Sequence, residues 1–157
     1  MIPYEIGIDP GNTHSAGVLL IKGEIANHAY LPNKEFMEWL WLAAHGHREI
    51  SIVCEMIASY GMAVGKTIFD TCVFIGHIQA NFPKLERVTR IQVKSTICHS
   101  GKAKDANIRQ ALIDLYGPAG TKKNPGPTYG ISGDVWAALA VATAFKEGCK
   151  TYDLAAI

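Results

Sequence analysis

The fold of this chain follows from residues 4–31, YEIGIDPGNTHSAGVLLIKGEIANHAYL. This stretch contains three β-rich runs separated by short breaks. Pro10 and Gly11 end the first run, and Gly23 turns the second run into the third. The pattern therefore predicts three short strands in an antiparallel meander. The predicted strands span 4–9, 15–22 and 24–31.

Downstream of this meander, helices alternate with two further strands. Residues 50–55, ISIVCE, form an apolar run that ends in a carboxylate, as is typical of a strand buried on both faces. A Gly- and Pro-rich loop over 117–131 precedes a last helix that Ser132 opens. The order predicts one α/β domain over 1–157, with a mixed five-stranded sheet and helices on both faces. The other predicted elements are helices at 33–45, 66–82 and 105–116 and a fifth strand at 87–93.

The composition is that of a globular protein and excludes several classes. Of the 157 residues, 48% are hydrophobic and 18% are charged. No apolar run approaches the roughly 20 residues of a membrane span, and the N-terminus lacks a secretory pattern. We therefore expect a cytoplasmic protein without membrane contact. The four cysteines are scattered and form no CxxC pair, which argues against a zinc site.

Positive charge is concentrated in one part of the sequence. Residues 84–123 contain nine basic and three acidic residues, whereas the rest of the chain contains six basic and eleven acidic residues. This asymmetry fits a one-sided surface for a polyanion such as DNA. A solvated charged face would give the same pattern.

Three acidic residues lie in apolar surroundings. Asp9 ends the first predicted strand, Glu55 ends the fourth, and Asp134 lies in the first turn of the last helix. An ionised carboxylate in such surroundings is costly unless it is paired or holds a cation. If the first and fourth strands are neighbours, the three carboxylates meet at one sheet edge. Three hard oxygen ligands suit Mg²⁺ or Mn²⁺, and two such ions can hydrolyse a phosphodiester.

Each carboxylate also has an ordinary structural explanation. Asp134 could complement the dipole of its helix, and Asp9 could be a turn residue before Pro10. Glu55 has no turn or capping role that would explain it. The three together favour a metal site.

Four motifs resemble the RuvC-type Holliday junction resolvases, which have an RNase H-like fold. IGIDPGNTHSAGVLL resembles the opening hairpin of the family, VCEMIASYG its glutamate segment, RIQVKSTICHSGKAKDANIRQAL its lysine-containing stretch, and GDVWAALAVATAF its final helix. The motifs are short but occur in the family's order over nearly the whole chain.

The resemblance implies a structure-selective endonuclease that binds four-way DNA junctions as a homodimer and nicks two strands. Its metal ligands would be Asp9, Glu55 and Asp134 with two Mg²⁺ (or Mn²⁺) ions, and Lys94 and Lys104 would join them in catalysis. The helix at 66–82 would contribute to the dimer interface, although a core position is an equal alternative. The residues implied to contact DNA are Lys94, Lys102, Lys104, Arg109, Lys122, Lys123 and Tyr60, although Tyr60 is equally explained as an ordinary exposed loop residue.

The last helix departs from the family pattern at one position. The family commonly has a second carboxylate three residues after the first, where this chain has Ala137. The second ion would then rely on water, a phosphate oxygen or another group such as the Ser132 hydroxyl.

Other functions remain open from the sequence. A less selective nuclease acting on flaps or forks fits the same residues. GIDPGNTHS also has the shape of the first phosphate loop in actin-like kinases and ATPases, but such folds duplicate the unit that occurs once here. An inert junction-binding protein is a third alternative, against which the three carboxylates argue.

Overall fold

A computed structural model describes residues 3–46, 49–58 and 60–152. The described residues form five strands and five helices in an α/β arrangement. The predicted elements are present, and one further helix was not predicted. In chain order they are β1 (Tyr4–Asp9), β2 (His14–Ile21), β3 (Glu24–Pro32), α1 (Asn33–Ala44), β4 (Ile50–Met56), α2 (Lys66–Asn81), β5 (Glu86–Thr89), α3 (Arg90–Cys98), α4 (Asp105–Tyr116) and α5 (Asp134–Lys146).

The strands form one mixed sheet in the order β3-β2-β1-β4-β5. The first three strands are antiparallel neighbours, which confirms the predicted meander. β4 pairs with β1 in parallel, and β5 pairs with β4 in parallel. The carboxyl ends of β1, β4 and β5 therefore lie at the same edge of the sheet.

Helices cover both faces of the sheet, as predicted. Ile6 and Ile8 of β1 share a buried cluster with Phe36 and Leu40 of α1 and with Ile75 of α2. The opposite face is covered by α5, with α3 and α4 beside it. Because side chains alternate along a strand, Glu5, Gly7 and Asp9 point towards α5.

Gly7 lets α5 approach β1 closely. A Cβ atom at this position would lie 2.3 Å from the Ala138 carbonyl oxygen and 2.5 Å from the Ala142 nitrogen. Both are backbone atoms, so a larger residue would push the helix away from the sheet. The glycine thereby sets the distance between β1 and α5.

The predicted fifth strand at 87–93 is wrong beyond Thr89. There the chain turns into α3, which the sequence analysis missed. The Thr89 hydroxyl accepts a hydrogen bond from the Gln92 backbone nitrogen (3.3 Å), and the Gln92 side chain accepts one from the Thr89 nitrogen (2.7 Å). This reciprocal capping box starts a helix where the sequence predicted a continuation of the strand.

Candidate metal centre

Asp9 and Glu55 are brought together by the pairing of β1 with β4. Ile8 is in register with Cys54, so the next residue on each strand is one of the two acidic residues. Glu55 lies on the face of β4 that Val53 also occupies, and Val53 packs in the cluster under α5. Both carboxylates are therefore placed at one sheet edge, on the face that α5 covers.

The loop that follows Asp9 is held by polar contacts from other elements. The Ser15 hydroxyl accepts a hydrogen bond from the Gly11 nitrogen (3.1 Å) and donates one to Asn33 Oδ1 (2.7 Å). Asn33 Nδ2 donates to the Gly11 carbonyl oxygen (3.0 Å). These bonds tie the loop to β2 and α1 and fix the end of β1.

Asp134, the third predicted ligand, is the first residue of α5, and it is exposed. Gly133 precedes it with a φ of 52°, a backbone conformation that favours glycine. This turn directs the start of α5 over the ends of β1 and β4. Asp9, Glu55 and Asp134 consequently line the same pocket, of about 130 Å³.

The pocket also contains charged groups that the sequence analysis did not assign to it. Arg90 and Asp105 lie in its wall, and the Arg90 guanidinium approaches Glu55 with Nη1 3.4 Å from Oε1. A second nitrogen of Arg90 bonds to Asp105 Oδ1. A basic residue distant in sequence thus reaches Glu55.

Burial and like charges act together on Asp9. Desolvation, followed by the nearby charges of Glu55 and Asp134, raises the pKa of Asp9 to about 7, although Arg90 acts in the opposite direction. Burial also raises the pKa of Glu55, which Arg90 lowers through its charge and hydrogen bond. Concentrated negative charge of this kind favours binding of a cation.

The donor set fits Mg²⁺ or Mn²⁺. Carboxylate oxygens line the pocket, and neither cysteine nor histidine is among its lining residues. Within residues 3–46, 49–58 and 60–152, no three Asp, Glu, His or Cys side chains are gathered at the spacing that one bound ion requires. The three carboxylates therefore line one pocket without a closed coordination shell. Ala137 also lines it and supplies no oxygen.

The predicted DNA-contacting residues lie on several elements and loops, and most of them are not among the residues that line the pocket. Of these, Arg109 lines the pocket, where its guanidinium lies 5.7 Å from the centre of the Trp136 ring. Lys94, on α3, is near enough to lower the pKa of Glu55. Tyr60 follows β4 and is 60% exposed, with a φ of 47°. The remaining lysines are exposed on loops beside α4, at positions 102, 104, 122 and 123.

One residue of the basic stretch cannot belong to a DNA surface. Arg87 on β5 is 7% exposed, and its guanidinium lies 5.4 Å from the centre of the Tyr152 ring. The charge asymmetry of the sequence therefore overstates the exposed positive charge by one residue.

The described residues thus form an α/β domain whose candidate site lies at the ends of β1 and β4. No family model and no curated protein matches the sequence. The solved structures that match include two that cover nearly the whole chain. A Thermus thermophilus RuvC structure has a TM-score of 0.67 at 17% identity and covers 97% of this chain and 100% of its own. A structure of T. thermophilus RuvC in complex with Holliday junction substrate has a TM-score of 0.66 at 13% identity, with coverages of 95% and 99%.

At these identities the match shows the fold. The chain has the RNase H-like fold of RuvC, which confirms the predicted fold class. No helix among the described residues has both the length and the apolar character needed to cross a membrane.

Proposed function

We propose that this protein is a metal-dependent DNA endonuclease that resolves four-way junctions. The observation that carries the proposal is the convergence of Asp9, Glu55 and Asp134, from two strands and one helix, on a single pocket. The RuvC neighbours, one of which was solved with a Holliday junction, support the choice of substrate. Under this proposal the protein acts in the cytoplasm of a bacterial cell or of a phage-infected host.

In the proposed reaction, Asp9, Glu55 and Asp134 would hold two Mg²⁺ or Mn²⁺ ions. When bound, these ions would supply an activated water and stabilise the leaving oxygen of the phosphodiester. The chain's own residues then have to orient the phosphate and offset its charge. Lys94, near Glu55, and Lys104, ahead of α4, are the residues proposed for this role.

DNA binding is proposed to use the exposed positive charge around the pocket. Arg109 is held by the Trp136 ring at the pocket wall, which reduces the conformational freedom that it loses on contact with a phosphate. Tyr60 has an exposed ring in the loop after Glu55 and is proposed to stack on an unpaired base near the junction centre. The proposed phosphate contacts come from Lys94, Lys102, Lys104, Arg109, Lys122 and Lys123.

We propose that two copies associate through α2. Thr71, Ile75 and Ile78 of this helix are buried, and the two isoleucines share a cluster with residues of the sheet, so part of the helix belongs to the core. Phe69 and Val73 are nevertheless 59% and 73% exposed, which leaves apolar surface available for a second copy. Val73→Glu is expected to give a monomer, as measured by sedimentation equilibrium. A variant that still sediments as a dimer would contradict this interface.

The substrate is tested by comparing synthetic four-way, three-way and linear DNA with Mg²⁺ in one gel assay. We expect paired nicks in the four-way junction and affinity for it well above that for linear duplex at moderate salt. Equal affinity for all three would contradict junction resolution and leave a generic nuclease. Equal nicking of three-way and four-way DNA would instead favour the broader branched-DNA endonuclease.

The assay also separates the proposal from the two other classes. An actin-like ATPase would hydrolyse ATP and leave DNA intact. An inert junction-binding protein would retard the migration of junctions in the gel without nicking them. The near-complete mutual coverage with RuvC favours the nuclease over an ATPase fragment.

A further inference from the structure

Arg90 joins two carboxylates at the mouth of the pocket. One of its terminal nitrogens lies 3.4 Å from Glu55 Oε1, and the other bonds to Asp105 Oδ1. The Glu55 side chain is 15% exposed, whereas the Asp105 side chain is 72% exposed. The guanidinium therefore bridges an inner carboxylate, which is a proposed metal ligand, and an outer carboxylate in solvent.

The backbone on both sides of this bridge is fixed by helix starts. Arg90 is the first residue of α3, directly after the capping Thr89, and Asp105 is the first residue of α4. The two helices also pack against each other. Release of Glu55 would consequently require only rotation of the Arg90 side chain, which Asp105 already holds through its other nitrogen.

Arg90 places positive charge beside an oxygen that a divalent cation would need. A guanidinium and a metal ion close to one carboxylate repel each other, and a hydrogen-bonded oxygen is less available as a ligand. Arg109 also lines the pocket, but it is held over Trp136 and bonds to none of the carboxylates. The contact with Glu55 thus distinguishes Arg90 from a nearby positive charge.

We propose that Arg90 is a positioning residue that competes with the divalent cation for Glu55, and that Asp105 retains it at the pocket mouth once it is displaced. The displaced guanidinium then faces the phosphate that enters the pocket. This inference rests on the proposed metal-dependent function. It assigns Asp105 the role of controlling Arg90 rather than that of replacing the carboxylate missing at Ala137.

The first test measures Mn²⁺ binding by calorimetry without DNA, at pH 8. Arg90→Gln is expected to tighten Mn²⁺ binding about tenfold, the size of one partly buried ionic contact that no longer competes. Arg109→Gln is the matched control, since it removes the same charge from the same pocket without a contact to Glu55. It is expected to change the affinity less than about threefold. Equal effects of the two variants would overturn the proposal.

The second test uses Asp105→Asn, which should act in the opposite direction. Without its outer partner, Arg90 stays on Glu55, and Mn²⁺ binding is expected to weaken about threefold to tenfold. In an Arg90→Gln background, Asp105→Asn should have little further effect, since its role is exerted through Arg90. The same loss in both backgrounds would show that Asp105 acts by charge alone and would overturn its assigned role.

Two controls separate failure of this inference from failure of the proposed function. Arg90→Lys keeps the charge but cannot bridge both carboxylates, so its Mn²⁺ affinity is expected between those of wild type and Arg90→Gln. Thermal melts verify that each variant is folded. If wild type binds Mn²⁺ and Glu55→Gln abolishes the binding, the metal centre stands and the Arg90 variants alone decide this inference. Absence of Mn²⁺ binding in wild type would overturn both.

Discussion

Two acidic residues on β1 show how different surroundings give similar side chains different roles. Glu5 and Asp9 are four residues apart on one strand, so both face α5. Burial raises the pKa of both groups. Near Glu5 the opposing charge is Lys146, at the C-terminal end of α5. Near Asp9 the main neighbours are two further carboxylates, Glu55 and Asp134, and the pKa reaches about 7.

The comparison shows that burial of an acidic residue does not by itself identify a site. Glu5 is only 7% exposed, and one of its oxygens has no hydrogen-bond partner among the described residues, but no second carboxylate converges on it. Asp9 shares its pocket with other acidic groups at the ends of parallel strands. Convergence of like charges, rather than burial, distinguishes the candidate site from a structural carboxylate.

The largest expected effect is on nicking activity, which should distinguish Asp9 from Glu5. Asp9→Asn should reduce Mg²⁺-dependent nicking of four-way junctions by about 1,000-fold or more, since a neutral amide is a poor ligand for Mg²⁺. Glu55→Gln should do the same. Glu5→Gln, at the other end of β1, should retain activity within about threefold. Nicking assays with junction binding measured in parallel provide the check, and unchanged cleavage in Asp9→Asn would remove the metal-site argument.

A second expected effect concerns Gly7, midway between the two carboxylates. Gly7→Ala should lower the free energy of unfolding by about 3 kcal/mol, because its Cβ would overlap backbone atoms of α5. Gly76→Ala on α2 is the matched control, since a Cβ there meets nothing within 4 Å. It should be neutral or stabilising by up to about 1 kcal/mol. Urea denaturation measures the free energy of unfolding of both variants. Similar losses of stability in the two would contradict the close approach of α5 to β1.

The raised pKa of Asp9 predicts that the difference in stability between wild type and Asp9→Asn depends on pH. Between about pH 4 and pH 7 the folded protein holds a proton that the unfolded chain, with its Asp pKa near 3.8, has released. The free energy of unfolding therefore falls as the pH rises through this window. Asp9→Asn avoids the loss, so in EDTA it should be more stable than wild type above pH 7, by up to about 4 kcal/mol. The difference should vanish near pH 4.

Denaturation curves at pH 4 and pH 8 provide this measurement. A difference that is independent of pH would show that Asp9 titrates normally. Glu5→Gln is the comparison variant, because the charge of Lys146 opposes the rise that burial causes in the pKa of Glu5.

The smallest expected effects concern DNA affinity. Lys94→Ala and Lys104→Ala should weaken binding to all sequences alike and flatten the log–log salt dependence by about one unit for each lost phosphate contact. Lys84→Ala is the control, because Lys84 is exposed just ahead of β5, at the opposite edge of the sheet from the pocket. Equal slopes for wild type and both lysine variants would place the DNA surface elsewhere.

The sequence predicted those features that depend on local periodicity. The alternation in β1 and the apolar run of β4 were sufficient to predict the sheet, and a carboxylate at each strand end predicted their meeting at one edge. The helix α3 was missed, although Thr89 and Gln92 have the spacing of a capping box that could have revealed it.

Other features could not be predicted because they depend on tertiary packing. Arg90 reaches Glu55 across 35 positions of sequence, which requires the register between β4 and β5. The contact of Arg109 with Trp136 requires the packing of α4 beside α5. The burial of Arg87 against Tyr152 depends on a bridge between β5 and the end of the chain. No local pattern contains these pairings, since each partner has an ordinary sequence context.

A crystal structure determined with Mn²⁺, with the ion located by anomalous scattering, tests the metal centre most directly. We predict an anomalous peak in the pocket, with oxygens of Asp9, Glu55 and Asp134 about 2.0–2.3 Å from the ions. Absence of a peak at saturating Mn²⁺, or a peak bound only by residues outside this pocket, would contradict the account.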